Sequence, residues 1–400
     1  MKQSSYFMMV VLLGSLSAMP PISIDTVLPA VPEMARQLAV DAGAAQQTLA
    51  AYVFGAALGQ VLLAPLSDRY GRRPLLFAGL AVYIVSAIGC VYTTDVEALV
   101  ALRFIQGAST YTGRILPRAI ARDLYDREDA ARLISYMMVF GGAAPVLAPL
   151  IGAQLTDAFG WRSTFVFMTG YGIFIFLLTG LLLKETLPAE RRIPVNPVSM
   201  ALNLGRLLNN RAFVGYGLCV LLTMGGLMAF LASASSVVIL FLELSPIDFA
   251  LAHGAVMLGY SLFGYFAGRL VGRLGIDRLV ALGAVAGAAC GGAMVFLAVA
   301  GIDTLWAIMV PMFGYMAAFS FVVPAATAGA LSPFGDMAGT AMANLAFFQT
   351  CFSALVAFVV GLLFDGTQIP MVMAIGALGV ASLIAYLVLI RPHAQPATAL

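Results

Sequence analysis

The sequence predicts an all-α integral membrane protein of twelve transmembrane helices arranged in two pseudo-symmetric six-helix halves. Composition is the first ground: 62% of the residues are hydrophobic and only 10% charged, with a mean hydropathy of +0.98. Such a chain belongs in lipid. The second is length, since the apolar runs divide into twelve spans of about 20 residues, the distance that crosses a bilayer. The third is charge: Lys and Arg gather at alternate ends of the spans, as the positive-inside rule requires.

The first span, 7–28, follows Lys2 but is too long for a cleaved leader, and Pro20, Pro21 and Asp25 are poor material for one. It reads as a retained helix. Spans 44–66, 75–93, 97–120, 131–155 and 161–183 complete a first half, 1–183. The interval 184–211, with Lys184, Arg191, Arg192, Arg206, Arg211 and three prolines, reads as a linker on the cytoplasmic side. Spans 212–242, 249–273, 278–300, 304–331, 337–363 and 369–390 then form a second half, 212–400. An even count puts both termini on one side. With that side cytoplasmic, Arg36 and Arg162 are the only Lys or Arg between spans assigned to the opposite face.

Two of the connections look alike. Gly59 to Pro74, ending Asp68-Arg69-Tyr70-Gly71-Arg72-Arg73-Pro74, reads as a basic turn between the second and third spans, and Gly268 to Gly275 repeats it weakly at the same place in the second half. Related halves of this kind are the layout of secondary transporters, which rock around a midplane site. Net charge of +2 does not suggest nucleic acid. Cys90, Cys219, Cys290 and Cys351 lie singly in apolar runs and read as packing residues, without the spacing of a metal site.

Gly59 to Pro74 resembles the loop signature of the major facilitator superfamily, and its Pro-Leu-Ser-Asp-Arg-Tyr-Gly-Arg-Arg-Pro form is similar to drug/proton antiporters of the bicyclomycin and chloramphenicol resistance (Bcr/CflA) type. Leu102 to Gly107 and Arg118 to Asp123 resemble that group's fourth helix, and Ala144 to Gly152 its fifth-helix antiporter motif. Lys184 to Pro188 resembles the exit from helix six, and Met337 to Ala341 the start of helix eleven. The resemblance runs nearly end to end. It implies a multi-pass protein of the bacterial cytoplasmic (inner) membrane, working as a monomer on a small-molecule substrate, with a proton as coupling ion and no other cofactor.

Several residues are candidates for that work. Gly59, Asp68, Arg69, Gly71, Arg72 and Arg73 form a conformational latch, in which Asp68 meets a helix N-terminus or an Arg; alternatively the arginines merely satisfy topology. Asp25 is the only acidic residue assigned within the membrane, where an unpaired charge costs about 3 kcal/mol on insertion scales. It is the proton-coupling candidate, or else it simply reaches water at the outer end of its helix. Arg103 falls at a similar depth and is its expected partner. Arg103, Arg114 and Arg118 share one helix face, with Gly107 leaving room beside them.

Arg114 departs from the pattern of the resembled group, as does Ser17, where cation exporters carry an acid. Arg114 packs its helix or receives an anionic or polar substrate, and both departures favour neutral, zwitterionic or anionic substrates over lipophilic cations. Tyr52, Tyr111, Tyr136, Tyr260, Asn344 and Gln349, with Gln60 and Tyr315, are polar groups in apolar spans that line a cavity or glue helices together. His253 is a further group that titrates if it meets water. In the antiporter motif Pro145 and Pro149 bend the fifth span, while Gly141, Gly142 and Gly152 allow close packing. The expected activity is proton-coupled export of amphipathic molecules such as antibiotics. A metabolite exporter would share every motif. A membrane enzyme or receptor would need a reactive constellation that the sequence lacks.

Overall fold

The computed structural model describes residues 2–188, 190 and 204–393, and the chain divides into two units, Met1–Val195 and Asn196–Leu400. Unit 1 comprises α1 (Lys2–Asp25), a 3-10 turn (Leu28–Ala30), the short α2 (Val31–Gln37), and the long helices α3 (Ala42–Tyr70), α4 (Arg72–Tyr92), α5 (Val96–Leu124), α6 (Arg127–Phe159) and α7 (Arg162–Leu182). Unit 2 comprises α8 (Arg211–Ser236), α9 (246–274), α10 (276–299), α11 (Leu305–Leu331), α12 (Ala338–Leu362) and α13 (Ile369–Ala385). The chain from Pro246 to Val299 is one helical stretch broken only at Gly275, with φ 76° and ψ 171°. Divided there, the long helices among the described residues are twelve.

Helix starts follow from local chemistry. Asp41 accepts from the Ala44 N–H and Asp95 from the Ala98 N–H, both at 2.7 Å, which satisfies free donors at the heads of α3 and α5. Asn210, Ser245 and Thr304 cap α8, α9 and α11 in the same way. Within unit 1, Leu12, Leu13, Leu16 and Met19 of α1 pack with Leu76, Leu80 and Tyr83 of α4 and with Phe165 and Met168 of α7, all fully buried. Val85, Leu177 and Leu181 point outward and exposed, as a surface meeting lipid requires.

Hydropathy alone does not find every crossing helix. Nine stretches among the described residues are long and apolar enough, and α5 is not among them. The reason is its polar load, Arg103, Gln106, Arg114 and Arg118.

The basic turn expected over Gly59 to Pro74 is mostly helix. α3 continues to Tyr70, Gly71 alone breaks it with φ 105° and ψ 161°, and α4 begins at Arg72 with Pro74 in its first turn. Those dihedrals suit glycine, which has no Cβ to clash, and proline is tolerated in a helix's first turn. The start of the expected linker is likewise part of unit 1, because Glu185 is bonded to the head of α4. Residues 189 and 191–203 lie outside the described residues, including Arg191 and Arg192.

Candidate functional site

The last turn of α1 leaves a carbonyl to spare. Val27 N–H turns back to the Ile24 carbonyl at 3.2 Å, and the Ser23 carbonyl instead accepts from Nη2 of Arg103 at 3.0 Å. The guanidinium thus sits at the negative end of the α1 dipole, two residues from Asp25. Nη1 of Arg103 donates to Oε1 of Gln106 at 2.6 Å, and the guanidinium lies 4.4 Å from the centre of the Tyr52 ring and 5.7 Å from that of Phe165. Four helices, α1, α3, α5 and α7, therefore hold one fully buried Arg.

The same carbonyl's residue is tied from another side. Oγ of Ser23 lies 2.8 Å from the Tyr83 hydroxyl of α4. Asp25 itself is only 4% exposed, and the residues that follow α1, Leu28, Pro29, Ala30, Val31 and Pro32, are buried too. The alternative in which Asp25 reaches water at the helix end is not the arrangement found. Arg103 thus bonds a carbonyl two residues from Asp25.

Three glycines bring α3 and α5 together around this point. A Cβ added at Gly55 would come 1.9 Å from the Phe104 carbonyl oxygen, one at Gly59 would come 2.2 Å from that of Ala108, and one at Gly107 would come 1.9 Å from that of Tyr52. Two expectations change. Gly59 is a packing residue in the middle of α3 and not part of a latch at its end, and Gly107 seats the α3 backbone instead of opening space beside arginines. The arginine face is not uniform either: Arg103 is in the core, while Arg118 is exposed. The side chains of Arg114, Tyr111 and Asp68 lie outside the described ones.

α6 approaches from the remaining side. A Cβ at Gly152 would come 2.1 Å from the Thr26 carbonyl oxygen, so the antiporter motif meets α1 next to Asp25. Pro145 and Pro149 lie inside α6, which remains one helix throughout. Gly141 and Gly142 differ from expectation, since a Cβ there meets nothing within 4 Å.

At the other end of the unit, Glu185 meets the head of α4. Its Oε1 and Oε2 accept from the backbone N–H groups of Arg72 and Arg73 at 3.0 and 3.2 Å, a carboxylate on the head of α4. Arg72 donates to Oγ of Ser67 at 2.6 Å and reaches Oδ2 of Asp123 at 3.5 Å, which also accepts from Oγ1 of Thr186 at 3.2 Å. Arg69 and Arg73 lie over the rings of Tyr70 and Phe77. Burial pushes the Glu185 carboxyl up, but N–H donors from Leu187, Arg72, Arg73 and Thr186 outweigh it and hold the group below the usual carboxylate range.

The polar candidates separate by environment. Tyr52 is buried against Arg103, and Asn344 donates to the Thr340 carbonyl of its own helix. Tyr315 is buried and donates to the Thr223 carbonyl, so it joins α11 to α8. His253 is buried against Phe230 and Phe249. Gln60 is buried and Gln349 half-buried. Tyr260 is exposed, its ring edge-on to Phe319. Tyr136 is exposed in a groove of about 1180 Å³ with Tyr6, Tyr125, Phe140, Asp129 and Arg132.

A helical unit with a buried acid, a buried guanidinium beside it and a carboxylate-capped basic turn is the frame in which the family comparison is decisive. The model of the Major Facilitator Superfamily matches residues 12–357. The chain belongs to the Major Facilitator Superfamily. Superfamily relatives include an uncharacterized MFS-type transporter, YdgK, of Bacillus subtilis, 31% identical with 90% of each chain covered. Another is a bicyclomycin resistance protein homolog of Haemophilus influenzae, 27% identical with 96% of each covered. A variant of the nucleoside transporter NupG shares the fold, with a TM-score of 0.80 at 13% identity, covering 96% of this chain and all of that one. The chain is thus a multi-pass membrane transporter of small molecules and not an enzyme.

Sequence reasoning passed over Gln106, Tyr83, Ser23, Asp123 and Glu185. Gln106 and Glu185 lay inside motifs whose other residues drew attention. Nothing local marks Ser23 or Tyr83, since their roles come from contacts across helices.

Proposed function

We propose that this superfamily member is a proton-coupled exporter of small amphipathic molecules, antibiotics among them, in the bacterial cytoplasmic membrane, with both termini inside and one chain as the working unit. The observation that carries the reading is Asp25 buried at the end of α1, two residues from the carbonyl that anchors Arg103. The proton affinity of a carboxyl depends on its burial and on the charges near it. Such a group takes up or releases a proton as its neighbours shift. The bicyclomycin resistance name of a relative covering nearly the whole chain supports the drug class. Ser17 and Arg114 favour neutral, zwitterionic or anionic substrates, and Tyr136 and Tyr260 are the exposed aromatic candidates to meet them.

One proton entering down about 100 mV supplies about 2.3 kcal/mol, enough for a substrate gradient of about fifty-fold. The test is transport by reconstituted protein under an imposed pH gradient. Asp25→Asn is expected to bind substrate and to lose pH-driven transport. Undiminished driven transport in that variant removes Asp25 from the mechanism.

A further inference from the structure

The face of α6 that meets α1 continues past Gly152 to Thr156, four residues on, and ends at Gly160, the residue with φ 80° that closes the helix. Gly152 rests on the Thr26 carbonyl, and a Cβ at Gly160 would lie 3.6 Å from Oε1 of Glu33. Thr156 is therefore bracketed by positions that touch residues 26 and 33, over a rise of about 12 Å. Three oxygens along this seam, Oγ1 of Thr26, Oγ1 of Thr156 and Oε2 of Glu33, are buried with no hydrogen-bond partner among the described residues. Thr26 is fully buried and Thr156 only 7% exposed.

Buried hydroxyls and carboxylate oxygens are costly to leave unbonded, and where protein offers no partner, water is the usual one. Three such atoms on residues of one seam, the first next to Asp25 in the chain, are hard to explain as separate accidents. Gly152 and Gly160 keep the helix face free of side-chain bulk on either side of Thr156. Glu33 is half-buried, and its other oxygen accepts from Nε2 of Gln37 at 2.8 Å. Gln37 in turn accepts from the Trp161 indole and from Nη1 of Arg162, each at 3.1 Å, which fixes the mouth of the seam.

We propose that this seam between α6 and residues 26–33 is a water-bearing proton path to Asp25, with Glu33 as the acid at its mouth and Thr26 and Thr156 as the hydroxyls that hold the water. The proposal rests on the reading of Asp25 as proton carrier. Each hop breaks one O–H bond on the donor oxygen and forms one on the next, so the chain of oxygens is restored after the proton reaches the carboxylate. The charged groups bordering the path are Arg103 at the Asp25 end, through Ser23, and Arg162 at the mouth, through Gln37. The exposed Arg36 and Asp157 flank it in sequence. Arg162 is engaged through all three of its nitrogens, by Val91, Gln37 and Thr93, and Arg103 through Nη1 and Nη2, by Gln106 and Ser23.

The test combines Thr26→Val with Thr156→Val, a change that keeps shape and removes the hydroxyls. Initial rates of pH-driven transport in proteoliposomes should fall about tenfold, while substrate counterflow at equal pH on both sides is retained. Thr156→Ser with Thr26→Ser should restore the driven rate. An unchanged driven rate in the double Val variant overturns the path. Hydroxyl-radical footprinting of the unaltered protein gives a check independent of folding in the variants: labelling at Thr26 and Thr156 is expected, and a protected seam overturns the proposal. Asp25→Asn separates the two readings, since its failure to block driven transport counts against Asp25 alone, whereas a protected seam counts against the path alone.

Discussion

In unit 1 the fourth long helix carries the fully buried Arg103, and in unit 2 it carries the fully buried Tyr315; each donates to a backbone carbonyl on the first long helix of its own unit, Ser23 or Thr223. The architecture is shared and the chemistry is not. Tyr315 is a neutral donor whose hydroxyl fits where Gly226 leaves space, a Cβ there falling 2.1 Å from it. Arg103 carries a charge that must be held by Gln106 and by the rings of Tyr52 and Phe165. A neutral hydrogen bond suffices to join two helices, so a buried guanidinium in the same role points to work beyond joining them. The turns differ in the same sense: Gly71 sits against Glu185, whereas a Cβ at Gly275 meets nothing within 4 Å.

The largest effect should come from the first contrast. Arg103→Leu strands the Ser23 carbonyl and Gln106, and it should cost about 2 to 4 kcal/mol of stability and at least tenfold, about, in driven transport. Tyr315→Phe should cost about 1 kcal/mol and leave transport within about twofold. Thermal melting and proteoliposome flux, measured on both variants, decide it; equal losses of transport would dissolve the distinction between the units.

The two turn glycines offer a smaller contrast. Ala at either position pays backbone strain of about 1 to 3 kcal/mol, but at Gly71 the new Cβ also falls 2.5 Å from a Glu185 oxygen and loosens the cap on α4. Gly71→Ala should therefore be the worse by about 1 kcal/mol in denaturation. Matching losses would show that Glu185 holds nothing.

The smallest effect concerns pH. Because the folded protein holds Glu185 below its ordinary range, its contribution is present above the unfolded value and fades as pH falls through the folded one. Glu185 is exposed, so the effect is modest. The melting temperature of Glu185→Gln should lie slightly below that of the parent near neutrality, with the gap closing below about pH 4. A gap that is flat with pH would remove the carboxylate from the cap.

Most of the fold was legible because apolar length and charge placement are one-dimensional signals. The twelve spans follow from runs of about 20 residues, and even the halves repeat their turn glycines. The site was legible only in part. Asp25 and Arg103 stood out as ionisable groups in apolar surroundings. Gly59 and Gly107 were placed in the wrong roles because a glycine's task depends on what faces it, which here is the backbone of another helix. Glu185 was read as an exit residue, since its partners at 72 and 73 are more than a hundred residues away.

The sequence by itself determined that this protein crosses a membrane many times and that its superfamily is transport, and it marked Asp25, Arg103 and the basic turn as candidates. Those conclusions need only composition, period and local motif. Tertiary structure decided which carbonyl Arg103 serves, that Gly152 rests beside Asp25, that Glu185 caps α4, and that three orphaned oxygens line one seam. The physical reason is that hydrogen bonds and close contacts depend on distance in space, and packed helices bring together residues that no sequence period relates.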